Sequence, residues 1–88
     1  MKELKDLNNV QKSVLMGFGY MNKFSLGAHN PKEPVIKKLN RKMNPKHVKK
    51  AFQFILSNGF IKKHPTCRKT TYELTEKGLK ACNELKKE

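Results

Sequence analysis

The residues with the clearest chemistry in this chain are basic. Lys37, Lys38, Arg41, Lys42, Lys46, Lys49, Lys50, Lys62, Lys63, Arg68 and Lys69 fall within the 39 residues between Glu33 and Glu73, and no carboxylate lies among them. A run of one sign repels itself in the compact state and attracts a polyanion, so it points to neutralisation of phosphate rather than to acid–base work. The chain as a whole carries +13 at pH 7. Within the basic run no Asp or Glu is present to act as a general base or to ligate a metal. Nowhere does a Gly-rich phosphate loop, a nucleophile elbow or a metalloprotease motif occur. The expectation is therefore a binding protein, not an enzyme, without a cofactor.

A zinc site would need two local ligand pairs, and only His64 with Cys67 forms one, because Cys82 and His47 stand apart. No metal is expected, and Cys82 reads as a core thiol. No secretory signal is seen at the N-terminus, and no apolar run approaches the roughly 20 residues that cross a bilayer. The expected setting is cytoplasmic, with reduced thiols and no membrane partner. A chain of 88 residues fits one domain, 1–88, whose core can take in only about 60–65% of the unfolded surface.

Positioning these side chains requires a scaffold, and the chain is punctuated like one. A first helix starts after Asn8 or Asn9 and runs to about Met21, with Val10, Val14, Leu15, Phe18 and Met21 inward and Gly17 and Gly19 weakening its second half. Lys23 to His29 reads as a connector in which Phe24-Ser25-Leu26 can form a short strand. Asn30-Pro31-Lys32-Glu33 has the order of a helix start, cap then proline then acid, and Pro34 is tolerated in the same first turn. Val35, Ile36, Leu39 and Met43 supply an inner face. Asn44-Pro45 repeats the signal, and Val48, Ala51, Phe52, Ile55 and Leu56 follow at amphipathic spacing until Gly59 ends the helix. One continuous helix across Pro45 would cost about 3 kcal/mol, so two helices at a tight turn are expected. Phe60–His64 and Lys69–Leu74 then read as a hairpin, with Thr70, Tyr72 and Leu74 on one face. Thr75 caps a last helix carrying Leu79, Cys82 and Leu85 inward.

This order describes a mainly helical α+β winged helix–turn–helix: a three-helix core, a two-stranded β wing and a C-terminal helix. The helix–turn–helix spans about 31–58, the wing about 60–74 and the last helix about 75–87. Pro45 to Lys63, with its small residue and large apolar side chains ahead of Gly59-Phe60-Ile61-Lys62, resembles the recognition helix and first wing strand of MarR- and PadR-like prokaryotic transcription regulators. Tyr72-Glu73-Leu74-Thr75-Glu76-Lys77-Gly78 is similar to the Tyr-x-Leu-Thr-x-x-Gly segment that follows the wing in those families. The resemblance covers about residues 34 to 85 and is more specific for the fold than for one family.

In such a fold the second helix of the pair enters the major groove while flanking elements hold phosphates. Lys46, His47, Lys49, Lys50 and Gln53 are the expected base-facing residues, Gln53 being able to pair with adenine through two hydrogen bonds and a lysine able to reach guanine. Phosphate contacts fall to Lys37, Lys38, Arg41 and Lys42 ahead of the turn and to Lys62, Lys63, Arg68 and Lys69 on the wing. Phe54 lies off the apolar stripe, open to packing, a thymine methyl or a protein contact. The expected partner is nucleic acid, double-stranded DNA first, bound by a monomer or weak homodimer that regulates transcription. RNA or ribosome association, and a basic module for an acidic protein, are the alternatives.

Overall fold

The computed structural model describes residues 3–66 and 68–87. After a 3-10 turn at Leu4–Asp6 come α1 (Asn9–Met21), β1 (His29–Asn30), α2 (Glu33–Asn40), α3 (Pro45–Ser57), β2 (Ile61–Pro65), β3 (Thr70–Leu74) and α4 (Glu76–Lys86). Helix α1 begins where Asn8 and Gln11 close a reciprocal box. The Asn8 side chain accepts from the Gln11 amide at 2.8 Å, and the Asn8 amide donates to the Gln11 side chain at 2.9 Å. Val14, Leu15 and Phe18 are fully buried along its inner face.

The strand expected at Phe24-Ser25-Leu26 does not form. Lys23 and Phe24 are left-handed, at φ 56° and 52°, a conformation that curls the backbone and cannot continue a strand. Phe24 instead donates its amide to the Gly19 carbonyl at 2.8 Å, and its ring meets Tyr20 edge-on at 5.0 Å. The first strand lies further on, at His29–Asn30.

Asn30 and Pro31 do not open the second helix. Asn30 is strand, and its side-chain amide donates to Asn22 Oδ1 at 2.6 Å and to the Met21 carbonyl at 3.2 Å. The helix begins at Glu33 with Lys32 at the cap position, no side-chain cap, and Pro34 in the first turn. An Asn suited to capping has been drawn into a tertiary bond. At α3 the local signal prevails, since the Asn44 side chain accepts from the Lys46 amide at 2.9 Å and Pro45 opens the helix. The helix ends as expected, with Gly59 at φ 78° and Phe60 donating back to the Ile55 carbonyl at 3.0 Å.

The two-stranded wing forms as expected, β2 against β3, and a short β1 adds an edge strand to make a three-stranded antiparallel sheet in the order β1-β3-β2. Ile61 faces Leu74, Lys63 faces Tyr72 and Pro65 faces Thr70, while Asn30 pairs Tyr72 from the other side. A two-residue edge strand carries almost no sequence signal, because two residues show no alternation. Beneath the sheet, Tyr72 meets Phe52 edge-on at 5.0 Å and Phe18 at 6.1 Å, tying strand, α3 and α1 together. Each such aromatic, once buried, contributes about 1.5–3 kcal/mol. Thr75 caps α4 by accepting from the Gly78 amide at 3.0 Å, while its hydroxyl donates to the carbonyls closing α3. Cys82 is fully buried, and Leu79 and Leu85 pack partly against the core. The arrangement is an α+β, mainly helical winged helix.

Candidate nucleic-acid interface

The surface of α3 follows from its core stripe. Val48, Ala51, Phe52 and Ile55 are buried, and at 3.6 residues per turn Lys46, Lys50 and Gln53 fall on the opposite side, flanked by Lys49 and His47. All five are exposed. Phe54 is half-buried against the core, so packing accounts for it. Its carbonyl accepts from the Asn58 side chain at 2.9 Å, closing the helix end.

The remaining expected cations are exposed too. Lys37 and Lys38 lie in the last turn of α2, and Arg41 and Lys42 in the turn before α3. Lys62 and Lys63 are on β2, and Arg68 and Lys69 just before β3. They do not form one uniform patch. Lys38 borders a groove between α1 and α2 with Met16 and Tyr20. His47 and Lys50 line a depression against the first turn of α1, beside Asn8 and Gln11.

The two carboxylates that bracket the basic run fold back onto it. Glu73 lies 3.4 Å from the Lys62 ammonium, and Glu33 lies 4.0 Å from that of Lys69. Among the described residues, the other nine expected cations have no carboxylate within that reach. Glu73 also accepts from His64 Nδ1 at 2.7 Å. Burial, which leaves its side chain 12% exposed, pushes its carboxyl up, but the bonds from His64 and Lys62 outweigh this and hold it below the usual value.

Sequence reasoning missed what stands beside Glu73. His29 stacks on His64 at 3.9 Å with the rings 15° from parallel. The Thr71 hydroxyl donates to the His64 carbonyl at 2.8 Å, leaving its lone pair for His29 Nδ1–H at 2.9 Å. The outer face of the wing is thus a pinned polar cluster. Only the β1–β3 pairing, invisible in sequence, brings His29 there. Among the described residues, no three His, Cys, Asp or Glu side chains are grouped to hold a metal ion. The notional pair of His64 with Cys67 involves a residue outside the described ones. No described helix is long and apolar enough to cross a membrane.

No family model matches the chain, and no curated protein is significantly similar to it. Two solved structures share its architecture. A cysteine-to-serine mutant of Lactococcus lactis ZitR superposes with a TM-score of 0.69 at 22% identity over 93% of this chain. SSV1 F-93 superposes with a TM-score of 0.65 at 23% identity over 88% of this chain and 82% of its own. The chain spans about half of the ZitR chain, 52% of it. At these identities the likeness is one of fold, and the fold shared is the winged helix.

Proposed function

We propose that this protein binds double-stranded DNA as a transcription regulator, with α3 in the major groove and the wing along the sugar–phosphate backbone. The observation that carries this reading is the split of α3. One side sinks Val48, Ala51, Phe52 and Ile55 into the core, while the other carries Lys46, Lys49, Lys50, His47 and Gln53, all exposed and, among the described residues, without a carboxylate partner. Base edges are read by such a face, Gln53 to adenine and a lysine to guanine, while Lys37, Lys38, Arg41, Lys42, Lys63 and Arg68 supply charge for phosphates.

Selection from DNA and RNA libraries, followed by affinity measurements over a salt series, tests it. An enriched duplex DNA motif is expected, with log K falling against log salt at a slope of about −4 to −5 for about four to six neutralised phosphates. Gln53→Ala is expected to relax the preference at one base pair, by about 1–3 kcal/mol. Enrichment of structured RNA alone, or an affinity indifferent to salt, overturns the reading.

A further inference from the structure

Between the start of α2 and the wing lies a depression of about 290 Å³ lined by Lys32, Glu33, Lys69, Thr70 and Tyr72. Tyr72 is the unusual member. It is only 7% exposed, its ring is fixed edge-on by Phe52 and Phe18, and among the described residues nothing hydrogen-bonds its hydroxyl. A buried phenol ordinarily finds a partner. Among the described residues every fully buried side-chain oxygen and nitrogen has one, so the unpaired hydroxyl of Tyr72 is not fully enclosed, and Tyr72 is among the residues that line the recess. Helix α2 starts there with no side-chain cap, so its first amides also lack a side-chain acceptor. Lys32 lays its ammonium 5.2 Å from the centre of the Phe52 ring, which itself touches Tyr72. Lys69 contributes a second positive charge and Thr70 a hydroxyl. Every side chain lining the recess except one carries a positive charge or can donate a hydrogen bond through a hydroxyl.

The exception is the Glu33 carboxylate, 57% exposed and 4.0 Å from the Lys69 ammonium. It is an anion of the chain's own, loosely held at the mouth of a donor-lined recess beside a helix N-terminus, where negative charge is favoured.

We propose that this recess is a seat for a phosphate group, in which the Tyr72 hydroxyl donates to a phosphate oxygen, Lys32 and Lys69 neutralise it, and Glu33 is the internal competitor it displaces. The seat deepens the DNA-binding reading, on which its biological occupant, a backbone phosphodiester, rests. Free phosphate shares the chemistry. Tyr72, Lys32 and Thr70 thereby join the interface although no charge pattern in the sequence marks them.

The competitor makes the test two-signed. In the full chain labelled with nitrogen-15, inorganic phosphate titrated against chloride at constant ionic strength is expected to shift the Glu33, Val35 and Thr70 amides saturably. Tyr72→Phe, which keeps the ring, weakens this binding about tenfold, the worth of a hydrogen bond to a charged group. Glu33→Gln strengthens it about threefold by removing the rival anion, an increase that loss of folding cannot mimic. Duplex DNA affinities of the same proteins identify the source. The same order of affinities assigns a backbone phosphodiester to the seat. A duplex bound with no change in either variant assigns it to free phosphate. A wild type that binds phosphate here but no duplex sinks the DNA-binding reading and leaves the seat. No saturable shift, or shifts that both variants leave unaltered, overturns the seat whatever the duplex does.

Discussion

The ammonium of Lys62 on β2 lies 3.4 Å from the carboxylate of Glu73, its direct cross-strand partner on β3. Its neighbour Lys63, across from Tyr72, is exposed and has no such partner among the described residues. Two adjacent lysines that look alike in sequence therefore differ in how much charge each offers to a phosphate. Lys63→Gln is expected to lower duplex affinity several-fold and reduce the magnitude of the salt slope by about 1, with Lys62→Gln having the smaller effect. Fluorescence anisotropy over a salt series checks this, and equal effects would count against it.

The same carboxylate makes stability depend on acid. Because Glu73 is held below its ordinary value of 4.5 in the folded chain, the unfolded chain binds its proton first as pH falls. The stabilisation from its bonds to Lys62 and His64 is complete above about that value and is lost as pH drops through the lower folded one. Glu73→Gln should flatten the acid limb of a denaturation midpoint plotted against pH. An unchanged limb would assign acid sensitivity to other groups.

Burial acts oppositely on Cys82, pushing its thiol up to about 11, with Lys86 opposing in part. A thiol kept neutral is a poor nucleophile. At pH 8 Cys82 should resist alkylation in the native protein and react rapidly in denaturant, as peptide mass mapping reads. Its folded value lies above the unfolded one of 9.0, so this thiol contributes stability that fades as pH rises from about 9 to about 11.

Asn22 is 1% exposed. It donates to the Tyr72 carbonyl at 3.3 Å and accepts from Asn30 at 2.6 Å, linking the end of α1 to β1 and β3. Asn22→Leu removes a donor to the Tyr72 carbonyl and one of the two acceptors of the Asn30 side-chain amide, which keeps its bond to the Met21 carbonyl, and should cost about 1–3 kcal/mol, with faster hydrogen exchange at His29 and Asn30. A loss below about 0.5 kcal/mol would show that water replaces these bonds.

Gly78 on α4 is pressed against α3's exit, where an added Cβ would stand 1.9 Å from the Phe60 carbonyl oxygen. Relief requires moving a helix against backbone, so Gly78→Ala should cost about 3 kcal/mol or more in chemical denaturation. Gly27→Ala meets nothing within 4 Å and is strained only by its φ of 88°. It should cost about 1 kcal/mol.

What the sequence alone determined was whatever depends on neighbours along the chain. Asn8 before α1, Asn44-Pro45 before α3, Gly59 after it and Thr75 before α4 act within one turn of helix, and each sits where its chemistry indicated. The period of Val48, Ala51, Phe52 and Ile55 likewise separated the buried side of α3 from the side carrying Gln53. Tertiary structure decided the rest. Asn30 looks like a cap, yet Asn22 and the Met21 carbonyl claim its side chain, and the strand this creates is too short to be read from pattern. Charge order in the sequence showed a run free of acid, but hairpin register and helix packing return Glu73 and Glu33 to Lys62 and Lys69. The unpaired hydroxyl of Tyr72 belongs to the same class. A core aromatic and a ligand-facing phenol share one residue type and one place in the strand, and only what surrounds the oxygen tells them apart.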